Sequence, residues 1–232
     1  MRVGILQTGH VSPDLAPRHG DFEDMFRRLL SGRGYDFRTW NVVDMEFPEG
    51  PHDADAWLIT GSRHGAYEDH PFIPSLEDLI REVHAAGVPL VGICFGHQIV
   101  AQAMGGRVEK FAGGWALGRT AYHLNGIGRV HLNAWHQDQV VEMPPGAVPA
   151  GTNTHCRLAA LSYGERTWTL QPHPEFDGAV VADYARTRRG TLDYPEAGMD
   201  HAAREAALPV DGARLAEHIA AVFARAEASA HA

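Results

Sequence analysis

Between Val3 and Ile93 the chain repeats one unit: a short apolar run, an amphipathic stretch, then another apolar run. The spacing predicts buried strands at Val3 to Gln7, closed by Thr8-Gly9, at Tyr35 to Val43, at Ala56 to Thr60, and at Val88 to Ile93. Phe22, Met25, Phe26, Leu29 and Leu30 recur at helical spacing, and Ser31-Gly32 ends that stretch. Leu76, Leu79, Ile80 and Val83 do the same. Ser75 with Asp78 resembles a capping box, so this helix is predicted to start at Ser75. Such alternation predicts an α/β fold whose mostly parallel central sheet carries helices on both faces. Sites in such sheets form outside the carboxyl ends of the strands. That points to Thr60-Gly61-Ser62 and Ile93-Cys94-Phe95.

Beyond residue 105 the texture changes. Gly-rich turns (Gly105-Gly106, Gly113-Gly114, Gly126, Gly128) separate strand-like runs such as Arg129 to Leu132 and Thr167 to Leu170, which predicts an antiparallel extension of the sheet. Arg189 to Pro209 lacks periodicity and reads as a loop-rich connection. Asp211 is placed to cap a final helix with Leu215, Ile219, Val222 and Phe223 on its apolar face. With 232 residues, 44% of them hydrophobic, the chain can bury a substantial core. Its 20 basic and 29 acidic residues leave a net charge of −9, which argues against a nucleic-acid partner because counterion release would not drive binding. Two cysteines make no disulfide framework, and neither a signal segment nor a membrane-spanning run is apparent. The expectation is a cytoplasmic protein with reduced thiols and no membrane partner.

The sharpest local pattern is Gly92-Ile93-Cys94-Phe95-Gly96, joining a predicted strand to a helical stretch from His97 to Met104. This is nucleophile-elbow spacing with cysteine in the serine position. Side chains at the flanking glycines would clash in so sharp a turn. The turn exposes the sulfur and leaves the Phe95 amide free at a helix start, where partial positive charge favours a thiolate and an oxyanion. Read by itself, Cys94 could equally be a small buried residue at a Gly-rich turn. A cysteine nucleophile needs a base, and the base needs an orienting acceptor. Gln171-Pro172-His173-Pro174-Glu175-Phe176 offers both: in extended backbone, His173 and Glu175 point the same way. Alone, that segment could be a surface turn with an incidental His and Glu.

Together the two motifs resemble the class I (triad) glutamine amidotransferases, in which a G-x-C-x-G elbow precedes an H-P-E segment. The resemblance runs in order over roughly residues 1 to 180. It implies a flavodoxin-like architecture, with Cys94 as nucleophile, His173 as general base and acid, and Glu175 as its orienter. In that family the cysteine attacks the glutamine carboxamide, ammonia leaves, and water hydrolyses a glutamyl thioester. The resemblance also implies that Gln98 contacts the amino-acid end of the substrate, and that Gly61 and Ser62 form the turn donating the second oxyanion-hole amide beside Phe95. Trp135-His136-Gln137-Asp138 is similar to the S-H-x-D segment of guanosine monophosphate synthetase-type members, which places His136 and Gln137 along the glutamine pocket, though His136 and Asp138 could instead stabilise the loop. The Thr60-Gly61-Ser62-Arg63-His64-Gly65 to Tyr67-Glu68-Asp69 stretch supports that branch, as a stand-alone chain. Residues 1–190 would then be the amidotransferase domain, with residues 191–232 a loop and amphipathic helix packed on it.

No S-G-G-x-D-S loop and no P-loop is present, so activating an acceptor with ATP is not expected of this chain. Two enzymatic readings stand: hydrolysis of glutamine with ammonia passed to a separate synthase subunit, or a γ-glutamyl peptidase acting on γ-glutamyl conjugates. A wider pocket for the leaving amine would distinguish the second. A third reading, an elbow cysteine kept for redox sensing or binding, has no use for the H-P-E pair. No cofactor is expected. His64 with His70, and His131 with His136, form no tight cluster with Cys or paired carboxylates at ligand spacing, so no metal is expected and isolated histidines account for them. Cys156 has no elbow or partner and reads as structural.

Overall fold

The computed structural model describes residues 1–191 and 193–229, the side chains of 227–229 excepted. Strands β1 (Arg2–Leu6), β2 (Asp36–Trp40), β3 (Ala56–Ile59) and β4 (Leu90–Ile93) are the predicted apolar runs. Helices α1 (Ala16–His19) and α2 (Phe22–Leu29) follow β1, α3 (Phe72–Ala85) follows β3, and α4 (Phe95–Ala103) follows β4. The second half contributes β5 (Arg107–Lys110), β6 (Ala116–Leu124), β7 (Gly128–His136), β8 (Asp138–Glu142), β9 (Ala147–Thr152), β10 (Ala160–Tyr163) and β11 (Thr167–Leu170). Three helices complete it: α5 (Gly178–Thr187), α6 (Glu196–Glu205) and α7 (Gly212–Phe223).

One nine-stranded sheet runs in the order β2-β1-β3-β4-β11-β10-β9-β6-β7, while β5 pairs only with β8. Pairing is parallel from β2 through β11 and antiparallel from there outward. Strand β11, expected from the sequence in the antiparallel extension, pairs in parallel with β4 and antiparallel only with β10, because it lies at the junction of the two halves. Alternate residues of β1 and β3 feed different cores, because successive strand side chains point to opposite faces. Leu6, Trp57 and Ile59 pack with Leu76, Ile80 and Val83 of α3. Val3, Ile5 and Leu58 pack with Phe26 of α2 and with Leu215, Ile219 and Phe223 of α7. A third cluster joins Val11, Leu15 and Phe22 to Phe176, Val180, Met199 and Ala202. No helix among the described residues is long and apolar enough to cross a membrane.

The structure departs from the sequence reading at several boundaries. Helix α3 begins at Phe72, a turn before Ser75, without a side-chain cap. Pro74 sits in its first turn, where a missing N–H costs nothing because that N–H has no intrahelical acceptor. Strand β2 stops at Trp40, and Val42–Asp44 forms a short 3-10 turn instead. The connection read as loop contains α6, which buries only Met199 and Ala202. Two apolar contacts three residues apart leave too narrow a stripe to register as periodicity. Asp211 sits at the N-cap of α7 but makes no side-chain cap. Its carboxylate instead accepts from the His131 backbone N–H at 2.7 Å, tying α7 to β7. Residue 192 and residues 230–232 of the predicted C-terminal segment lie outside the described residues.

Candidate active site

The parallel strands β3, β4 and β11 lie side by side and bring three loops to one end of the sheet. Gly61-Ser62 follows β3, Cys94 follows β4, and Gln171 to Phe176 follows β11. At Cys94 the backbone turns from strand to helix with φ +55° and ψ −104°, left-handed space that a non-glycine side chain enters at a cost of about 1–3 kcal/mol. The flanking glycines permit this by close approach. A Cβ on Gly92 would lie 2.4 Å from the Gly96 carbonyl oxygen, and one on Gly96 would lie 2.5 Å from the Ile59 oxygen. Cys94 thereby becomes the N-cap of α4.

His173 is reached from β11 and fixed on every side. Its backbone N–H donates to the Asn133 carbonyl at 2.8 Å, and its ring stacks on Phe176 with centroids 4.0 Å apart. Nδ1 meets Glu175 Oε1 at 2.7 Å, leaving the other ring nitrogen for Cys94, with which the side chain is hydrogen-bonded. Gly61 makes room for this ring, since a Cβ there would approach His173 Cε1 to 3.0 Å. Burial pushes the imidazole down, but the negative charges of Cys94 and Glu175, with the hydrogen bonds to both, outweigh it and raise His173 from 6.5 to about 10. The row can therefore hold a proton on the imidazole, beside a sulfur placed for attack.

Of the remaining residues singled out in the sequence, Ser62, Gln98, His136 and Gln137 line one cavity of about 970 Å³, which Cys94 and His173 also line. Phe95 opens α4, so its amide has no intrahelical acceptor, whereas the next amide, Gly96, donates to the Thr60 carbonyl. Ser62 does not have positive φ, so serine is accommodated without strain in the turn where the resemblance expects a glycine. Its hydroxyl donates to the Thr8 carbonyl at 2.7 Å and accepts from the His64 N–H at 3.1 Å, giving the side chain a structural task of its own. Gln98 lines the cavity, yet its Nε2 donates to the Asp138 carbonyl at 2.9 Å and to Gln171 Oε1, so it also ties the β7–β8 turn to α4. His136 and Gln137 line the same wall. His136 Nε2 and Gln137 Oε1 are buried without a partner among the described residues. Burial, reinforced by the charge of His173, pushes His136 down to about 3, so this ring is neutral at pH 7.

Two contributors carried no sequence signal of their own. Gln171 donates from Nε2 to the Cys94 sulfur at 3.8 Å, and Asn133 bonds the Phe176 carbonyl with its side chain while its carbonyl holds His173. Only the strand pairing puts β7 beside the H-P-E segment. Cys156 is buried away from the cavity, where burial pushes its thiol up to about 12. His64 and His70 are not isolated: Glu68 joins them in a compact cluster at the cavity rim.

The family model for glutamine amidotransferase class-I matches residues 21–182. The chain belongs to this family. A glutamine amidotransferase-like protein of Schizosaccharomyces pombe is 31% identical, covering 94% of this chain and 96% of the relative. Gamma-glutamyl peptidase 4 of Arabidopsis thaliana is 26% identical over 77% of this chain and 83% of that protein. In fold, the chain is similar to the crystal structure of a glutamine amido transferase from Methylobacillus flagellatus, with a TM-score of 0.77, 23% identity, and 97% and 94% of the two chains covered. The matched segment contains the elbow and the H-P-E segment together.

Proposed function

We propose that this amidotransferase-family protein hydrolyses the γ-amide of a glutamyl group through a Cys94 thioester. The observation that carries the reading is the hydrogen-bonded row Cys94–His173–Glu175 at the end of β4 and β11. The Cys94 sulfur attacks the γ-carbonyl carbon, and the oxygen takes up negative charge between the Phe95 and Ser62 amides. Such donors are worth about 10²–10³ each in rate. His173 then gives its proton to the leaving nitrogen, the carbon–nitrogen bond breaks, and the acyl group stays on sulfur. Water attacks the thioester as His173 takes its proton, the carbon–sulfur bond breaks, glutamate leaves, and the Cys94 sulfur stands again beside a protonated imidazole. Glu175 holds the ring through Nδ1 and stabilises the imidazolium. His136 and Gln137 offer acceptors for the amino-acid end, and Gln98 and Gly61 support that wall and the His173 ring.

Glutamine is the smallest substrate of this chemistry. The cavity favours a larger leaving amine. Its volume of about 970 Å³ exceeds what ammonia needs as a leaving group, and Tyr184, Arg188, Thr191 and Tyr194 help to line it. A γ-glutamyl amino acid or peptide fits that shape, and the Arabidopsis relative is named for such chemistry. The test is purified protein assayed side by side with glutamine, γ-glutamyl dipeptides and glutathione, with Cys94→Ser as control. Cleavage of a γ-glutamyl conjugate faster than glutamine supports the reading. Turnover of glutamine alone would return it to ammonia supply for a separate synthase, and hydrolysis retained in Cys94→Ser would overturn the thioester.

A further inference from the structure

The proposed hydrolysis leaves unused three side chains that converge on one point at the cavity rim. His64, Glu68 and His70 lie on the loop between β3 and α3. One ligating atom from each lies within 4.8 Å of the other two. Glu68 Oε2 stands 2.7 Å from His70 Nε2 and 3.6 Å from His64 Nδ1. The two imidazole centroids are 4.1 Å apart, and the Phe72 ring backs both at 5.9 Å. His64 and Glu68 also line the cavity shared with Cys94.

We propose that His64, Glu68 and His70 form a binding site for a divalent ion of the zinc type, with its remaining coordination position open to the cavity. Ligand bonds of about 2.0–2.1 Å in tetrahedral geometry put ligand atoms roughly 3.4 Å apart. The observed separations fall on both sides of that value, and Glu68, which is half exposed, has the freedom to close the difference. Two imidazoles with one carboxylate is a donor set for zinc and its neighbours; magnesium and calcium prefer oxygen throughout. A surface ion pair accounts for one ring on one carboxylate. Glu68 reaches the second ring too, at 3.6 Å, but two protonated rings 4.1 Å apart would repel, whereas one shared ion lets both rings stay neutral and both be satisfied. Three protein ligands leave a fourth position, held by water until an anionic group of a ligand in the cavity replaces it.

The test is titration of metal-stripped, untagged, full-length protein with Co²⁺, followed by its visible absorption and by Zn²⁺ competition, in wild type, Cys94→Ser, His64→Gln, Glu68→Gln and His70→Gln. Thermal melting of the stripped proteins establishes that each variant is folded. The expected result is one tightly held ion in wild type and Cys94→Ser, weakened about a hundredfold or more in each of the other three, since even residues that only orient ligands are worth 10–100-fold. Equal affinity in folded His70→Gln overturns the site. So does the absence of a tetrahedral Co²⁺ spectrum in wild type, or binding lost in Cys94→Ser but kept in the rim variants, which would put the ion on the sulfur. The outcome does not depend on which amide the protein cleaves.

Discussion

At the scale of single residues, the charge state of His173 is the property most open to test. Held protonated up to about pH 10 by Cys94 and Glu175, it can serve as the proton donor to a leaving amine throughout the neutral range. The alkaline limb of kcat/KM is therefore expected near pH 10. In Glu175→Gln one of the two negative charges is gone, the imidazolium is less favoured, and the limb should move to lower pH. General acid–base contributions of about 10²–10⁴ set the scale of the rate loss when His173 itself is replaced, and Glu175→Gln should leave a slower enzyme. A pH–rate profile of both proteins decides it, and an unmoved limb in Glu175→Gln would show that Glu175 does not tune the base. Gly61→Ala probes the same ring from the other side. Its methyl would stand 3.0 Å from His173 Cε1, and the ring cannot retreat far because Phe176 is stacked against it. A fall in kcat of about tenfold or more with little change in melting temperature is expected, as small misplacements of reacting groups are costly. Unchanged kcat would mean that the ring has room that its packing does not suggest.

At the scale of elements, α6 carries weight out of proportion to its few contacts. Met199 and Ala202 are fully buried, and Gly118 of β6, at φ +75°, lets the helix backbone close in, since a Cβ there would meet Ala202 Cα at 2.6 Å. The connection from α5 to α6 also supplies Thr191 and Tyr194 to the cavity wall. Met199→Ala should cost about 2–4 kcal/mol, the range for emptying a buried Met site, and should loosen that wall. Denaturant unfolding measures the first and hydrogen exchange over residues 193–206 the second. A loss below about 1 kcal/mol would mean that α6 is held chiefly by something other than this contact. Seen at the same scale, β1, β3 and β4 were legible as short apolar runs buried on both faces, and α2 as one face of large apolar residues at helical spacing. Helix α5 was missed because its buried face mixes small residues with a buried Asp183, and α6 because it buries only Met199 and Ala202.

At the scale of the whole molecule, the fold separates two thiols of one chemical type. Cys94 follows β4 and lines the cavity, whereas Cys156 does not line it and has its thiol pushed up to about 12 by burial. A γ-glutamyl-bearing electrophile at neutral pH should therefore label Cys94 and spare Cys156, with excess γ-glutamyl substrate protecting the site. Peptide mapping reads the result directly. Label on Cys156, or label on Cys94 that substrate fails to block, would detach the nucleophile from the cavity.

The sequence by itself determined strands β1 to β4 of the parallel half, the elbow spacing at Cys94, and that His173 and Glu175 fall on one side of an extended segment. Each of these is local: period, glycine spacing, or two residues on one side of an extended strand. What only the tertiary structure decided lies between segments distant in the chain. Pairing of β11 with β4 brings His173 to Cys94, and pairing of β7 beside the H-P-E segment adds Asn133. The folding of one loop sets Glu68 between two histidines. Part of the cavity wall comes from Tyr184 of α5 and from Arg188, Thr191 and Tyr194 in the connection after it, a stretch without periodicity in the sequence. Chemistry that rests on local geometry is written in short motifs. The shape of the cavity is not, because it is the sum of contacts whose partners are tens of residues apart.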